Sequence, residues 1–584
     1  SIGTDYTTNK IENQNRTEHA NAFGNLSGSY SLTQSQYTIL YGDIMLMYEK
    51  QLTDKLDLSA YVGWSGRREK YFWQQSNTSG GLTVENWFNL AASKNSPTTS
   101  EDELRLLKTA WYGDLSLSWD NWAYIEATLR NEKSSTLFKD NNSFWYPSVS
   151  GSVIYSELLK DKRPSWLDYG KVRLSYGVVG LAPDAYYATQ AFNQGTAHSY
   201  VYNEQPSSVG NNNLKPEKTY EWEIGWENKF LHDRVGFDFS YYHKDIKDQI
   251  LSTTMPASSG AKSIAMNVGE FTSKGVELAL YGTPLLTKDW RVDLRFNIAW
   301  NTNKVKRLAE GIDRLEHKRW DNGAVYLYST VGGRIGDFYA YAPQTDKDGN
   351  NIVDASTGYY KLTDTPVKVG NAMPKYTGGA GVTVAWKNLS LDVSLSFRHG
   401  GSVFNMPYEY MMGRGAIKES MDNRDEAHGG QPYYLDSSVG NGIVPAATAP
   451  AGKTLYHDGM ILPGVRSDNG QKNDIMISAM RWYNWSYNWG TDAPTYYSHS
   501  IFTNSYVKVR EIVLSYSFPK LITDKLHMTR LVVSAYARNP FYIYKNLPIF
   551  DAEATDATSW IEQSWIGGST ATTRSFGVSL KACF

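Results

Sequence analysis

The sequence predicts an all-β fold, an antiparallel transmembrane β-barrel, and three observations support this prediction. Apolar and polar residues alternate along segments longer than the ~5–6 residues typical of strands in soluble proteins. The connections between these segments alternate between short and long. No apolar run reaches the ~18 residues of a transmembrane helix. Because lipid offers the backbone no hydrogen-bond partners, strands cross a membrane only where every strand edge is paired.

The alternation is clearest in residues 389–398. Five apolar residues occupy one face of this segment: Leu389, Leu391, Val393, Leu395 and Phe397. Ser, Asp and Arg occupy the other face. The segments 234–241, 290–300 and 575–584 repeat the pattern, and no charged residue falls on their apolar faces. We therefore expect the apolar faces to contact lipid and the polar faces to line a wet barrel interior.

Fifteen strands are predicted along the chain. They span residues 38–50, 54–70, 103–119, 121–133, 143–158, 168–180, 217–230, 233–250, 264–282, 288–304, 374–387, 389–400, 502–518, 527–545 and 572–584. Single-chain bacterial barrels have an even number of strands. We therefore expect residues 38–50 to pair with a further strand outside these fifteen.

The connections between the predicted strands form two alternating classes. Tight turns, such as those at 52–54, 120–121 and 387–388, alternate with long polar loops. The long loops span residues 71–102, 181–216, 305–373, 401–501 and 546–571. Outer-membrane barrels have short periplasmic turns and longer extracellular loops. With this orientation, the last strand ends on the periplasmic side at the aromatic residue Phe584.

The composition excludes several classes of protein. The chain has 58 Lys and Arg residues against 60 Asp and Glu residues, so it lacks the basic surplus of a nucleic-acid-binding protein. Cys583 is the only cysteine, which excludes an internal disulfide and a zinc site built from spaced cysteines. The sequence contains neither a nucleophile elbow nor a phosphate-binding loop. We therefore expect no enzymatic activity and assign no catalytic residue.

Several short motifs also resemble those of one family. They are 130–137 (RNEKSSTL), 146–150 (YPSVS), 171–177 (KVRLSYG), 214–219 (LKPEKT), 267–269 (NVG), 274–277 (KGVE), 370–379 (GNAMPKYTGG), 506–510 (YVKVR) and 538–540 (RNP). In this order, over about residues 105–584, they resemble the SusC/RagA-type TonB-dependent outer-membrane transporters of Bacteroidetes. Glu132, Lys133 and Pro540 depart from the family's usual residues.

This resemblance implies a barrel of about 22 strands closed by an N-terminal plug domain. Residues 1–584 then form the C-terminal part of the barrel, and we expect about seven strands, the plug and the TonB-contacting segment to lie outside this chain. The resemblance also implies TonB-dependent import of large nutrients, oligosaccharides or peptides, across the bacterial outer membrane with a SusD-like surface lipoprotein. The alternatives are a passive porin or barrel adhesin, and a soluble β-rich glycan-binding or structural protein.

One loop segment has the spacing of a calcium-binding loop. The oxygen-bearing side chains at relative positions 1, 3, 5 and 9 belong to Asp346, Asp348, Asn350 and Asp354, a spacing that EF-type loops use for Ca²⁺. Two features weaken the match, since Asn351 replaces the turn glycine and Thr357 stands where a bidentate Glu is expected. The alternative, which we favour, is an ordinary Asx-rich surface turn.

The end of loop 401–501 is unusually aromatic for an exposed segment. Three tryptophans lie within eight residues, namely Trp482, Trp485 and Trp489. Aromatic side chains in this arrangement are candidates for contact with a nutrient ligand or with the surface lipoprotein. The alternative is that they pack the long loop internally.

Overall fold

A computed structural model describes residues 1–16, 28–189, 191–197, 200–320, 323–487, 497–554, 559–567 and 572–584. The chain divides into two compact units. One comprises Ser1–Pro164, Tyr169–Trp226 and Tyr242–Phe271, and the other comprises Ser165–Asp168, Glu227–Tyr241 and Thr272–Phe584. No helix in the described part of the chain is long and apolar enough to cross a membrane.

The long strands correspond to all fifteen predicted segments and include one that was not predicted, Ile2–Asn15. Within the described ranges they are β1 (Ile2–Asn15), β2 (Ser29–Thr53), β3 (Leu56–Leu82), β4 (Ser93–Trp119), β5 (Ala123–Ser134), β6 (Ser143–Ile154), β7 (Leu167–Leu181), β8 (Glu217–Phe230), β9 (Val235–Thr254), β10 (Ser263–Leu286), β11 (Trp290–Arg307), β12 (Tyr376–Trp386), β13 (Leu389–His399), β14 (Tyr506–Ser517), β15 (Arg530–Arg538) and β16 (Ser575–Cys583).

In the first unit, β1 to β7 pair as antiparallel neighbours in chain order. The unpredicted strand β1 pairs with β2 from Ile2↔Gly42 to Asn15↔Ser29. This register supplies a partner for residues 38–42, as the even-number rule requires. The alternation of apolar and polar residues is weak in β1, because few large apolar residues occur along it. Its place in the sheet therefore depends on backbone hydrogen bonds.

The prediction of a loop at 71–102 is wrong for most of its length. Strands β3 and β4 continue through this segment and pair as far as Leu82↔Ser93. The connection between them is residues 83–92, which contain the short 3₁₀ helix Leu90–Ala92. The extended part is rich in Ser, Thr, Asn and Gln, so it lacks the apolar alternation that marks a membrane-spanning strand, although its backbone pairs in the same way.

In the second unit, β11 to β16 form an antiparallel series with the same order as the sequence. The predicted strand 527–545 is interrupted, because β15 ends at Arg538 and pairing resumes at Tyr542–Lys545. Asn539 has a φ of 50°, and Pro540 has no N–H to donate to a neighbouring strand. These two residues explain the break.

The predicted apolar and polar faces are confirmed in the last strand and in β11. Phe576, Val578 and Leu580 are 72%, 75% and 67% exposed, as expected for side chains that meet lipid. On the polar face, the Arg295 guanidinium lies 2.7 Å from the Asp392 carboxylate. The all-β fold class, an antiparallel transmembrane barrel, is therefore confirmed.

The connections between the long strands contain smaller strands and helices, most of them in the long loops. The additional strands are Asn193–Ala197, Tyr200–Glu204, Ser208–Val209, Arg314–Trp320, Val325–Thr330, Asp337–Ala340, Ile352–Val353, Val367–Asn371, Ser402–Asn405, Gln431–Leu435, Ile443–Pro445, Tyr456–Ile461, Val465–Arg466, Met476–Ser478, Ile501–Thr503 and Trp565–Ile566. The α-helices are Tyr155–Leu159, Met406–Gly413, Ala479–Ser486 and Lys520–Thr523. Further 3₁₀ turns are Lys160–Lys162, Ala257–Ser259, Lys418–Met421, Glu426–His428, Ala446–Thr448, Tyr497–Ser500, Asp524–Leu526 and Glu562–Ser564.

The loops of the second unit have hydrophobic cores of their own. One core joins loops 305–373 and 401–501 through Val325, Phe338 and Phe404, which are fully buried. Because these loops bury apolar side chains against each other, they form one folded layer, which we call the loop layer, and are not separate exposed loops.

Candidate functional site

Loop 401–501 contains a compact β-sheet with a helix beside it. Gln431–Leu435 pairs with Ile443–Pro445 and Tyr456–Ile461, and the latter pairs with Met476–Ser478. The helix Ala479–Ser486 follows directly, and the Ser478 hydroxyl accepts a hydrogen bond from the Arg481 N–H at 3.3 Å. Ser is a favoured residue at this capping position, so the sequence itself sets where the helix begins.

The structure places Trp482, on this helix, in the interior of the loop layer. Its side chain is 7% exposed. The ring stacks on Tyr359 at a centroid distance of 6.2 Å and meets Tyr360 edge-on at 5.6 Å. Trp482 belongs to a buried cluster that contains residues of both long loops, among them Val353 and Leu462.

The side chains of the other two predicted tryptophans, Trp485 and Trp489, lie outside the part of the chain that the structure describes. The backbone of Trp485 belongs to the same helix, whereas Trp489 lies outside the described residues. Contact of these tryptophans with a ligand or with a lipoprotein stays a prediction.

The candidate calcium loop forms two turns that hydrogen-bond to themselves. The Asp346 carboxylate accepts the N–H groups of Asp348 and Asn350 at 2.9 and 2.8 Å, as well as the Asn350 amide at 3.0 Å. These hydrogen bonds, above all that from the Asn350 side chain, hold the pKa of Asp346 below its usual value. Asp354 accepts the N–H groups of Ser356 and Thr357 at 2.8 and 3.1 Å.

These carboxylates do not converge on one point. Among the described residues, no group of three or more His, Cys, Asp and Glu side chains could hold a metal ion. The residues fit a pair of self-capped turns better than a cation cage, and we derive no function through Ca²⁺. Calcium binding at Asp346, Asp348, Asn350 and Asp354 stays a prediction.

A buried ionic cluster, not predicted from sequence, joins β14 to loop 546–571. Lys508 is 2% exposed, and its Nζ lies 2.9 Å from Glu553 and 3.2 Å from Asp551. Arg510 forms a two-pronged contact with the same Glu553 carboxylate, and Tyr506 donates to it at 2.7 Å. The sequence signal was present in motif 506–510, where alternate residues point to the same side of the strand.

Asp551 in this cluster has a strongly shifted pKa. Burial alone would raise it, but hydrogen bonds from Thr572, Tyr542 and the Glu553 N–H outweigh burial and lower the pKa to about 2. The carboxylate is therefore charged near neutral pH. These ion pairs and hydrogen bonds hold the part of loop 546–571 around Asp551 and Glu553 against β14, and we call this cluster the latch.

Other motifs of the sequence also fasten loops to strand ends. The Asn267 side chain donates to the carbonyls of Lys215 and Asp248 at 2.8 and 2.7 Å and accepts the Lys215 N–H at 2.8 Å. The Asn371 amide donates to the carboxylate of Asp337 at 2.7 Å and to the Ile335 carbonyl at 2.9 Å. These motifs therefore position the loops.

Comparison with solved structures identifies the fold. The chain matches a structure of the RagAB peptide transporter with a TM-score of 0.71 and 17% identity, covering 99% of this chain and 59% of that one. It matches the RagAB peptide importer in the "open-open" state with a TM-score of 0.71 and 19% identity, covering 100% of this chain and 58% of that one. At these identities the likeness concerns the fold alone.

Sequence relatives agree with the structural match. The TonB-dependent receptor SusC of Bacteroides thetaiotaomicron is 29% identical over 262 residues, which are 42% of this chain and 26% of that protein. The TonB-dependent receptor P3 of Formosa agariphila is 23% identical over 359 residues, 56% of this chain and 35% of that protein. The chain thus matches about a quarter to a third of the length of these curated relatives.

A family model extends the similarity over most of the chain. The model described as "TonB dependent receptor-like, beta-barrel" matches residues 1–402. Together with the SusC relative and the RagA-like fold, this match confirms the SusC/RagA-type resemblance of the motifs and the location in the bacterial outer membrane. The chain belongs to the TonB-dependent receptor β-barrel family.

Proposed function

We propose that the protein containing this chain imports large nutrients, oligosaccharides or peptides, across the outer membrane in a TonB-dependent manner. The observation that carries the proposal is the match of residues 1–402 to the receptor barrel family. The names of the similar proteins support it, since they include SusC and a peptide transporter. The folded loop layer agrees with it, because binding residues commonly sit on loops held by a rigid scaffold.

We also propose that the importer works with a SusD-like surface lipoprotein and with TonB. TonB would act through a part of the protein outside this chain. The lipoprotein would contact the long loops, because they alone provide a large, irregular surface. The short turns, such as 387–388, offer too few side chains for specific recognition.

Uptake by cells tests this proposal. A strain lacking the gene should lose uptake of one class of fluorescently labelled oligomer, either peptides or oligosaccharides. A strain lacking TonB should lose the same uptake, and tagged importer should co-purify with a surface lipoprotein. Uptake that continues without TonB would contradict active import and favour a passive porin. Normal uptake of both classes after gene deletion, with altered surface adhesion, would favour an adhesin.

A further inference from the structure

A cavity of about 450 Å³ lies in the small sheet of loop 401–501. It is formed by the strands Gln431–Leu435 and Tyr456–Ile461, the start of helix Ala479–Ser486, and Arg424 from the preceding segment. A volume of this size accommodates one or two residues of a peptide. None of the residues singled out from the sequence lines it.

The acidic side chain of this cavity lining, Asp458, is held by hydrogen bonds. The Asp458 carboxylate accepts hydrogen bonds from the Tyr433 hydroxyl at 3.0 Å, the Ser478 hydroxyl at 2.6 Å and the Met480 N–H at 3.1 Å. His457, also in the lining, is paired at 2.7 Å with Glu426, which lies outside it. Donors of the loop itself therefore fix the position of the Asp458 carboxylate.

Two guanidinium groups line the cavity. Arg424 donates through Nε to the Ser420 carbonyl and lies 4.9 Å above the Tyr483 ring, and its Nη2 is buried. Arg424 therefore contributes its positive charge to the lining. Arg481 is exposed, and its side chain makes no ion pair within the described residues. A carboxylate is the natural complement, since a guanidinium can donate two parallel hydrogen bonds to it.

The remaining wall of the cavity is apolar and open to solvent. Leu435 is 45% exposed, Met480 is 61% exposed, and the Tyr456 ring is stacked on Tyr433 with centroids 5.4 Å apart. A wall of these side chains suits an apolar side chain. Leu435 and Met480 offer no hydrogen bond to a sugar, so hydroxyl groups placed against them would lose hydrogen bonds to water without replacement.

We propose that this cavity is a subsite for a peptide that carries a carboxylate next to an apolar side chain. Arg481 binds the carboxylate, and the positive charge of Arg424 stabilises it. Leu435, Met480 and Tyr456 contact the apolar side chain. The carboxylate is a peptide C-terminus or an acidic side chain, since the same hydrogen bonds serve both. This inference rests on the proposed import function and adds the class of substrate to it.

Calorimetric titration of the whole purified protein that contains this chain, in detergent, tests the subsite. The probe is acetyl-Gly-Gly-Leu with a free C-terminal carboxylate, compared with the same peptide as its amide and with acetyl-Gly-Gly-Leu-Glu-amide. We expect the amide to bind at least about tenfold more weakly than the acid, because the amide has no negative charge to accept the hydrogen bonds of the guanidinium. If acetyl-Gly-Gly-Leu-Glu-amide binds as tightly as the acid, the site accepts side-chain carboxylates. If it binds more weakly than the acid, the site prefers C-terminal carboxylates.

Arg481→Gln is the decisive variant, because this exposed side chain supports no contact of the fold described above. We expect it to weaken binding of the acid at least about tenfold and to remove the difference between acid and amide. Arg466→Gln is the matched control, since Arg466 pairs with Asp468 and Asp474 away from the cavity.

Three results would overturn the subsite. They are unchanged binding in Arg481→Gln, equal binding of acid and amide, and binding of a uronate disaccharide without binding of any peptide. Cellular uptake is measured separately, so peptide import that survives Arg481→Gln would reject the subsite and leave the import function standing. Uptake that is the same with and without TonB would reject the import function instead.

Discussion

For a single side chain in a membrane-spanning strand, the strongest constraint is whether the residue lies on the apolar or on the polar face of that strand. Val393 belongs to the apolar face of β13, and Ser394 belongs to the polar face. We expect Val393→Arg to destabilise the folded barrel by about 2–4 kcal/mol if the residue lies near the bilayer midplane, whereas Ser394→Arg should be tolerated. The measurement is the fraction of protein that keeps its folded mobility on unheated gels. Equal loss in both variants would contradict the assigned faces.

A second constraint on a single residue is the burial of its charge, and Lys508 is an example. Its replacement by Met leaves the Asp551 and Glu553 carboxylates without one cationic partner. Breaking a buried pair in this way costs about 3–5 kcal/mol, and we expect the cost to appear as faster hydrogen exchange in loop 546–571. The exposed Lys525→Met variant is the control and should leave exchange unchanged. Unchanged exchange in Lys508→Met would show that the latch does not hold the loop.

For loop 546–571 as an element, the shifted pKa of Asp551 predicts how the latch responds to acid. The pKa is about 2 in the folded loop against an ordinary value of 3.8. Because the folded value is the lower one, the stabilisation is complete above about pH 4 and is lost as the pH falls from 4 to 2. Cleavage of the loop by pepsin should therefore rise steeply in this window. Asp551→Asn should flatten the profile, and a wild-type profile in that variant would refute the role of this carboxylate.

For loop 401–501 as an element, Trp482 is an internal packing residue. We expect Trp482→Ala to destabilise the loop by about 3–5 kcal/mol, the usual cost of removing a large buried aromatic side chain. Limited proteolysis of the loop should accelerate, while the folded mobility of the barrel on gels stays the same. The exposed Met480→Ala variant on the same helix should have little effect. Resistance of Trp482→Ala to proteolysis would mean that its contacts with Tyr359 and Tyr360 are not required for loop stability.

For the chain as a whole, the exposed apolar faces predict how the protein partitions. Side chains such as Phe576, Val578 and Leu580 would order water if they were left in solution. We expect the protein to stay in the membrane pellet after an alkaline wash and to be released by detergent. Recovery in the soluble fraction without detergent would contradict the barrel.

Whether a part of the molecule could be predicted from the sequence depended on the kind of interaction that stabilises that part. The apolar alternation predicted all fifteen membrane-type strands, because lipid selects apolar side chains at every second position of a strand. It did not predict β1 or the extended parts of β3 and β4, which are polar and are held by backbone hydrogen bonds that depend little on the side chains. The break at Asn539 and Pro540 was missed because it is a local interruption within a longer pattern.

The sequence by itself determined the fold class, the strand order, the polarity of the two strand faces and the family, since each depends on residues close together along the chain. Only the tertiary structure decided that Trp482 packs inside the loop layer, that Lys508 and Arg510 share the Glu553 carboxylate, and that Arg424 and Arg481 line one cavity. These arrangements bring together residues separated by tens of positions. Their energies come from burial and from opposite charges placed close together, and neither has a repeating signature along the sequence.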